Sequence, residues 1–347
     1  MRRLPVFFVI DVSESMAGGN LRKVESALAA IAAGLRSDAH ALETVHVSVI
    51  AFAGQVRTLV PLLEIAAFYP PKLPVGGGTA LGAALEHLMA EIDRQVVKTT
   101  RERRGDWRPV VYLLTDGKPT DKVAEPIRRW REEYARRATL VAIAIGRFAD
   151  VQVLRQLTDA VLLFEEHREG DFRRFIDWIT LSVRSQSQAI GDPAKGGGVS
   201  LDKVDQTVLK LIRDATGFQA IDPDHVVLAG RCQRSRQPYL MIYEKQTATD
   251  HIQDEAGARF HIAGCQPLDE SYFDWSDDTA SSATVSTRNL TGAPGCPHCG
   301  NPLAFALCVC GKLMCITGPG PAVCPWCGQT NSFVEGGGHF DVVRGRG

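Results

Sequence analysis

Residues 1–190 predict a doubly wound, mostly parallel α/β sheet. Beyond them the chain predicts a small β-rich unit and then a zinc-ribbon-like module. Three observations carry this reading. Short continuous apolar runs alternate with amphipathic helical patterns over the first 190 residues. The texture changes after the glycine run Gly196-Gly197-Gly198. Seven of the nine cysteines fall between Cys296 and Cys327. Strands buried on both faces read as continuous apolar runs, and their alternation with helices argues for a sheet covered on both sides.

The elements follow in order. The run 6–10 is a first strand. Leu21, Val24, Leu28, Ile31 and Leu35 then recur at helical spacing. Residues 45–53 and 56–63 are two strands joined by a tight turn at Gly54-Gln55. Leu81, Leu85, Leu88, Ile92 and Val96 mark a second helix. Residues 109–114 are a buried strand ending at Thr115-Asp116-Gly117, followed by a charged helix over 122–137. Residues 139–145 and 161–164 are further strands with a short helix near 151–158 between them. Phe172, Phe175, Ile176, Ile179 and Val183 mark the last helix of this region.

Residues 191–200, with Pro193 and three glycines, are expected to be a linker. Residues 201–275 predict a helix over 202–215 and strands at 225–231, 239–244 and 259–264, as an α+β or meander unit. Residues 276–294 hold eight Ser/Thr and few large apolar side chains, and are expected to be a second linker. Residues 295–334 form the cysteine module, and 335–347 a frayed tail.

Composition limits the function classes. A net charge of −1 over 347 residues draws the chain to neither nucleic acid nor an anionic membrane. No apolar run approaches the ~18 residues of a spanning helix. Met1-Arg2-Arg3 before an apolar stretch is faintly like a signal peptide, but the stretch runs into Asp11 with no small-residue cleavage site, so a first strand and a cytoplasmic location are expected.

Ligands gather at the carboxyl ends of strands in open parallel sheets. Asp11, Ser13 and Ser15 follow the first strand, Asp116 ends another, and Thr79 follows Gly76-Gly77-Gly78 at the start of a helix. Two carboxylates and three hydroxyls form a hard oxygen set suited to Mg²⁺. The competing explanation is that these residues cap turns and a helix. The region has no phosphate-binding G-x-x-x-x-G-K-[ST] loop, no G-x-S-x-G elbow and no H-E-x-x-H motif.

On Asp11-x-Ser13-x-Ser15, Thr79 and Asp116, residues 1–190 resemble a von Willebrand factor type A domain with a metal-ion-dependent adhesion site. The resemblance implies that Ser13, Ser15 and Thr79 bind the metal directly. Asp11 and Asp116 would act mainly through water, and a partner's carboxylate would complete the shell.

Cys296-Pro-His-Cys299-Gly and Cys324-Pro-Trp-Cys327-Gly are two zinc knuckles 24 residues apart. One closed four-thiolate zinc site from Cys296, Cys299, Cys324 and Cys327 is expected. Cys308, Cys310 and Cys315 remain. Cys310 and Cys315, with Cys265 and Cys232, are candidates for a second site, and buried reduced thiols are the alternative. Lys312 is the only Lys or Arg between Cys296 and Cys327, which argues against a nucleic-acid surface. A type A domain followed by this module, including 307–315, resembles the TerY family of tellurite-resistance proteins. That resemblance implies a protein kinase and a metal-dependent Ser/Thr phosphatase as partners.

Arg128, Arg129, Arg131, Arg136 and Arg137 crowd one helix, as a solvated face or as a docking face for an acidic partner. Ser276, Thr279, Ser281, Ser282, Thr284, Ser286, Thr287 and Thr291 of the second linker are candidate phosphorylation sites, with plain solubility as the alternative. The expected function is a non-enzymatic interaction scaffold. A Mg²⁺-dependent phosphohydrolase is the rival; it would need a nucleophile or a base beyond the metal shell, for which Glu14 and Asp121 are the nearby spare carboxylates. Nucleic-acid binding through the ribbon is a third reading.

Overall fold

The apolar run at the N-terminus becomes β1 (Leu4–Asp11), and all eight of its residues are buried. The remaining strands of its sheet are β2 (Val45–Phe52), β3 (Val56–Glu64), β4 (Val110–Thr115), β5 (Thr139–Ile145), β6 (Val161–Phe164) and β7 (Leu209–Leu211), in spatial order β3-β2-β1-β4-β5-β6-β7. All neighbours are parallel except β3 and β7 at the two edges. The helices are α1 (Gly19–Arg36), α2 (Ala39–Thr44), α3 (Leu81–Gln95), α4 (Ala124–Arg129), α5 (Val151–Leu157) and α6 (Asp171–Ala189).

Both faces of the sheet are covered, which is why β1 carries no polar alternation. On one face Phe7 and Val9 pack with Leu81, Leu85 and Leu88 of α3 and with Trp130 and Tyr134. On the other, Phe8 stacks on Tyr112 with ring centroids 5.5 Å apart, and Tyr112 meets Trp178 of α6 edge-on at 6.4 Å. The α1 stripe Leu21, Val24, Leu28, Ile31 and Leu35 is buried, as its spacing predicts. The helix α2 was not expected from periodicity. Asp38 caps it, accepting the Ala41 amide at 2.8 Å. The charged helix runs from α4 into a wider π-turn at Trp130–Tyr134. Its arginines are largely paired: Arg128 with Glu125 and Glu132 at 2.5 and 2.6 Å, Arg129 with Glu86, and Arg137 with Asp93 at 2.6 Å.

This computed structural model describes residues 2–102, 104–116, 119–145, 151–164, 171–189, 209–211, 225–246, 258–277, 283–334 and 338–345. Contacts divide the chain into two units. The first comprises Met1–Val12, Gly18–Leu73 and Thr79–Ala220; the second comprises Ser13–Ala17, Pro74–Gly78 and Ile221–Gly347. Two short loops early in the chain therefore belong, by their contacts, with the C-terminal residues.

In the second unit β8 (His225–Arg231), β9 (Pro238–Lys245) and β10 (Phe260–Pro267) form the expected meander. The helix α7 (Ser271–Trp275) follows. Then come β11 (Thr284–Ser286), β12 (Leu290–Thr291), β13 (Leu303–Leu307), β14 (Leu313–Ile316), β15 (Gly320–Val323), β16 (Thr330–Phe333) and β17 (Asp341–Val343). One six-stranded sheet runs β12-β10-β9-β8-β14-β13, and two-stranded sheets join β11 to β17 and β15 to β16.

This arrangement corrects the expected organisation. The β-rich unit and the cysteine module are not separate, because β14 pairs with β8 in parallel, Leu313 opposite Gly230. The Ser/Thr-rich stretch is not simply a linker, since 284–291 contribute two strands. Val285 and Val342 become a buried cross-strand pair, so residues 341–343 of the expected frayed tail are ordered too. Of the helix predicted over 202–215 only 209–211 are described, and they form β7. The linker predicted at 191–200 lies outside the described residues. No helix among the described residues is long and apolar enough to cross a membrane.

Candidate metal centres

The oxygen donors are set by strand ends. β1 and β4 pair in register up to Ile10 opposite Leu114, so Asp11 and Thr115 end neighbouring strands. The Thr115 hydroxyl donates to Asp11 Oδ2 at 2.6 Å, which orients a fully buried carboxylate. Asp116 follows, half-buried. Thr79 is fully buried just before α3 and its backbone is pinned, its amide donating to Thr120 Oγ1 and its carbonyl accepting from the Thr120 amide, both at 2.9 Å. Among the described residues its hydroxyl has no hydrogen-bond partner. A buried hydroxyl costs free energy unless something coordinates it, so this orphan fits a metal ligand better than a helix cap.

Ser13 and Ser15 follow Asp11 in sequence but belong to the second unit by contacts. Their hydroxyls lie 3.1 Å apart, and Ser13 forms an isolated parallel bridge with Gly76. The bridge sets this loop beside the glycine run that leads into Thr79. A side chain at Gly76 would put its Cβ 2.5 Å from the Trp275 carbonyl, so the glycine is sterically required. The two carboxylates considered for a phosphohydrolase both accept hydrogen bonds from the protein. Asp121 accepts the Gly82 and Ala83 amides at 3.0 and 2.9 Å, capping α3. Buried Glu14 accepts from the Tyr272 phenol.

The nine cysteines sort differently from expectation. Cys232, Cys296, Cys299 and Cys315 form one cluster and Cys308, Cys310, Cys324 and Cys327 another, each with its sulfurs within 4.8 Å of one another. The two Cys-Pro-x-Cys knuckles therefore serve different clusters, and the single expected site from Cys296, Cys299, Cys324 and Cys327 is not formed. Of the four candidates for a second site, Cys232 and Cys315 join the Cys296 knuckle and Cys310 joins the Cys324 knuckle. Cys265 joins neither, and Cys308, left unassigned from sequence, completes the second set.

The spacing fits a tetrahedral ion. Four sulfurs ~2.3 Å from one zinc lie about 3.8 Å apart. The sulfurs of Cys299 and Cys315 are 3.7 Å apart, those of Cys308 and Cys327 3.8 Å, and those of Cys310 and Cys324 3.9 Å. Disulfides would bring them to ~2.05 Å.

Four turns share one design. The amides of Cys232, Cys296 and Cys324 donate to the carbonyl five residues on, and that of Cys308 to the carbonyl four on, at 2.8–3.0 Å. Each turn closes on a residue with positive φ: Arg236, Gly300, Gly311 and Gly328, at 60°, 74°, 79° and 74°. The turn at Cys232 escaped sequence reading because Ser235 stands where a second cysteine would be, and Arg236 where a glycine would be. Strand β14 supplies the missing sulfur as Cys315.

Amides and side-chain donors face the sulfurs, the outer-shell support that metal thiolates require. Gln233 N and Asn301 Nδ2 donate to Cys315 at 3.2 and 3.4 Å, and Asn331 Nδ2 donates to Cys308 at 3.1 Å. Burial tends to raise the Cys232 thiol, but the Ser235 hydroxyl and the Ser235 and Arg234 amides bring it down to about 6. Burial, with the nearby Cys296, pushes Cys265 up to about 12 and keeps it a thiol.

Among the candidate phosphorylation sites, the Ser276 hydroxyl donates to the Tyr272 carbonyl and accepts the Gly77 amide at 2.6 and 2.8 Å. Ser286 accepts the Arg288 amide, and Thr287 the Phe340 amide. Thr284 and Thr291 are exposed, on β11 and β12. Thr279, Ser281 and Ser282 lie outside the described residues.

Comparison with known proteins bears on both parts of the chain. The model of the von Willebrand factor type A domain matches residues 6–172, and that of the TerY-C metal binding domain matches residues 222–347. The chain is 26% identical over 165 residues to inter-alpha-trypsin inhibitor heavy chain H6 of Homo sapiens, covering 44% of this chain and 12% of that protein. It is 28% identical over 170 residues to matrilin-4 of Homo sapiens, covering 47% of this chain and 26% of that protein. The chain thus spans only a small part of the length of these curated relatives. Among solved structures, a von Willebrand factor type A protein from Catenulispora acidiphila is 13% identical with a TM-score of 0.41, covering 80% of this chain and 69% of that one. Proximal thread matrix protein 1 from the mussel byssus, solved with a zinc-occupied MIDAS motif, is 19% identical with a TM-score of 0.38, covering 53% and 48%.

Proposed function

We propose that this chain, which joins a von Willebrand factor type A domain to a TerY-C metal binding domain as TerY-type proteins do, is a cytoplasmic, non-enzymatic scaffold that binds a partner protein through a divalent cation. Ser13, Ser15 and Thr79 would hold Mg²⁺, with Asp11 and Asp116 acting through water. Hydroxyl ligands are neutral, so the ion keeps positive charge and recruits an external carboxylate. The observation that carries this reading is the buried, unpartnered Thr79 hydroxyl at the sheet edge where Asp11 and Asp116 end their strands. The engagement of Glu14 and Asp121 favours a binding role over phosphoester hydrolysis, since both carboxylates already serve as acceptors for protein donors, Glu14 for the Tyr272 phenol and Asp121 for the amides that open α3.

The two cysteine clusters would each hold a structural zinc, because each offers four sulfurs at tetrahedral spacing and no open position. A protein kinase and a metal-dependent Ser/Thr phosphatase of a tellurite-resistance system are the proposed partners, and phosphate is expected on the exposed Thr284 or Thr291.

Calorimetric titration of the zinc-loaded full chain with Mg²⁺ and Mn²⁺ tests the cation site. One ion should bind to the wild type and none to Asp11→Ala or Thr79→Ala. Equal binding by both variants overturns the reading. With the kinase and phosphatase co-expressed, capture should depend on Mg²⁺, and capture that survives Mg²⁺ removal argues against a metal-bridged contact.

A further inference from the structure

The two cysteine clusters differ in what solvent can reach. In the Cys232 cluster, Cys232, Cys296 and Cys315 are buried and Cys299 is half-buried, and all four pack with Val226, Tyr239, Met241 and Leu313. In the other, Cys308 and Cys324 are 2% and 1% exposed, while Cys310 and Cys327 are exposed. Each exposed sulfur sits against a buried one: Cys310 is 3.9 Å from Cys324, and Cys327 is 3.8 Å from Cys308. Cys310 lies in the turn between β13 and β14, beside Val309, which is 79% exposed.

We infer that the Cys308–Cys310–Cys324–Cys327 cluster is a site of two-electron oxidation by hydroperoxides, with Cys310 and Cys327 attacking and Cys324 and Cys308 resolving. This rests on the reading that both clusters hold zinc. Susceptibility of a thiolate to oxidants follows its accessibility, and a reversible response needs a second cysteine in reach.

The chemistry balances within each pair. The Cys310 sulfur attacks one peroxide oxygen, the O–O bond breaks, and the departing hydroxide or alkoxide takes a proton. The Cys310 sulfenic acid is then attacked by the Cys324 sulfur, which displaces hydroxide, and this takes a second proton. The sum is two thiolates, one hydrogen peroxide and two protons giving one disulfide and two waters. Closing the ~2.05 Å S–S bond moves the sulfurs about 2 Å closer, which a hairpin turn accommodates more readily than a strand in the middle of a sheet. Two of the four ligands are then lost, too few for a closed tetrahedral site. The Cys232 cluster has no exposed sulfur to attack a peroxide, and its Cys315 is held on strand β14 inside the sheet.

The test uses the full chain as purified in reducing buffer and then freed of reductant. Metal analysis comes first and should find two zinc ions per chain; fewer overturns the two-site reading itself. Limiting hydrogen peroxide is then added, zinc release is followed with a chromogenic chelator, and the cysteines are mapped by alkylation and mass spectrometry. One zinc should leave at least about tenfold faster than the other. The early disulfides should be confined to Cys308, Cys310, Cys324 and Cys327, and a dithiol with added zinc should restore the starting state. Loss of both ions at one rate, or early oxidation at Cys232, Cys296, Cys299 or Cys315, overturns the inference even when the metal count is two. Because the peptide map is read on the wild type, it does not depend on a ligand variant that fails to fold.

Discussion

The two units solve the problem of stability differently. One face of the first sheet alone buries a continuous cluster of 23 described side chains, among them Phe7, Phe52, Trp130 and Tyr134, with no cysteine in it. The main cluster of the second unit has 13, and three of them are Cys232, Cys296 and Cys315. A smaller cluster of six again includes two cysteines, Cys308 and Cys324. At ~25 cal/mol per Å² of buried apolar surface, small cores leave little margin over chain entropy. The lesson is that the first unit has apolar core enough to need no metal for its folding, whereas the second builds its cysteine clusters into the small cores that it has.

Metal removal offers the largest break in this comparison. A structural zinc contributes an apparent ~10–16 kcal/mol to folding. A strong zinc chelator in reducing buffer should therefore melt the second unit and leave the first folded. Hydrogen exchange should show protection lost in β8–β10 and β13–β14 but kept in β1, β4 and β5. Equal loss in both units would refute the distinction.

The two clusters can be separated next. Cys296→Ser should lose one zinc and also the packing of Tyr239 and Met241, because its cluster sits inside the main core. Cys327→Ser should lose one zinc as well, but with unfolding confined to β15, β16 and the adjoining turns, since Cys327 is exposed. Zinc content and limited proteolysis distinguish these outcomes. Cys265→Ser should leave two zinc ions bound.

A sharper test concerns the Thr79 hydroxyl. Thr79→Val keeps shape and removes an unsatisfied buried polar group, so the Mg²⁺-free chain should gain about 1 kcal/mol. The same variant should lose the stabilisation that Mg²⁺ gives the wild type. Thermal melts with and without Mg²⁺ check both signs, and a Mg²⁺ shift equal to wild type would remove Thr79 from the site.

The smallest expected effect is at Arg236. It is the only described non-glycine residue with positive φ, and the left-handed conformation costs an L-residue about 1–2 kcal/mol. Arg236→Gly should raise the stability of the second unit by up to about 1 kcal/mol, after glycine's own entropic cost, with zinc content unchanged. A loss of stability would mean that the exposed side chain makes contacts worth more than the strain.

Much of this was legible in the sequence because it is local. Period and burial are linked through a few neighbouring residues, so β1, α1, α3 and β4 could be placed from their apolar patterns alone. The positions of Asp11 and Asp116 were legible because the ends of neighbouring strands fix where they emerge. The knuckles at Cys296 and Cys324 were legible because a Cys-x-x-Cys-Gly turn is defined within five residues. Over 284–291 the sequence misled, since Ser and Thr suit a solvated edge strand as well as a linker. Val285 gains its burial only by pairing with Val342, far along the chain.

The sequence by itself determined that the Cys296 and Cys324 knuckles would each carry two sulfurs on one turn and that Asp11 and Asp116 would follow the ends of neighbouring strands. Only the tertiary structure decided which sulfurs each knuckle meets. A knuckle orients its own two sulfurs, but four sulfurs form a tetrahedron only where distant segments converge. The parallel pairing of β14 with β8 brings Cys315 to Cys232 and the Cys296 knuckle. The turn that precedes β14 carries Cys308 and Cys310 to the Cys324 knuckle instead. Short-range spacing carries no information about that choice, because it is set by long-range strand pairing and by the burial that pairing allows.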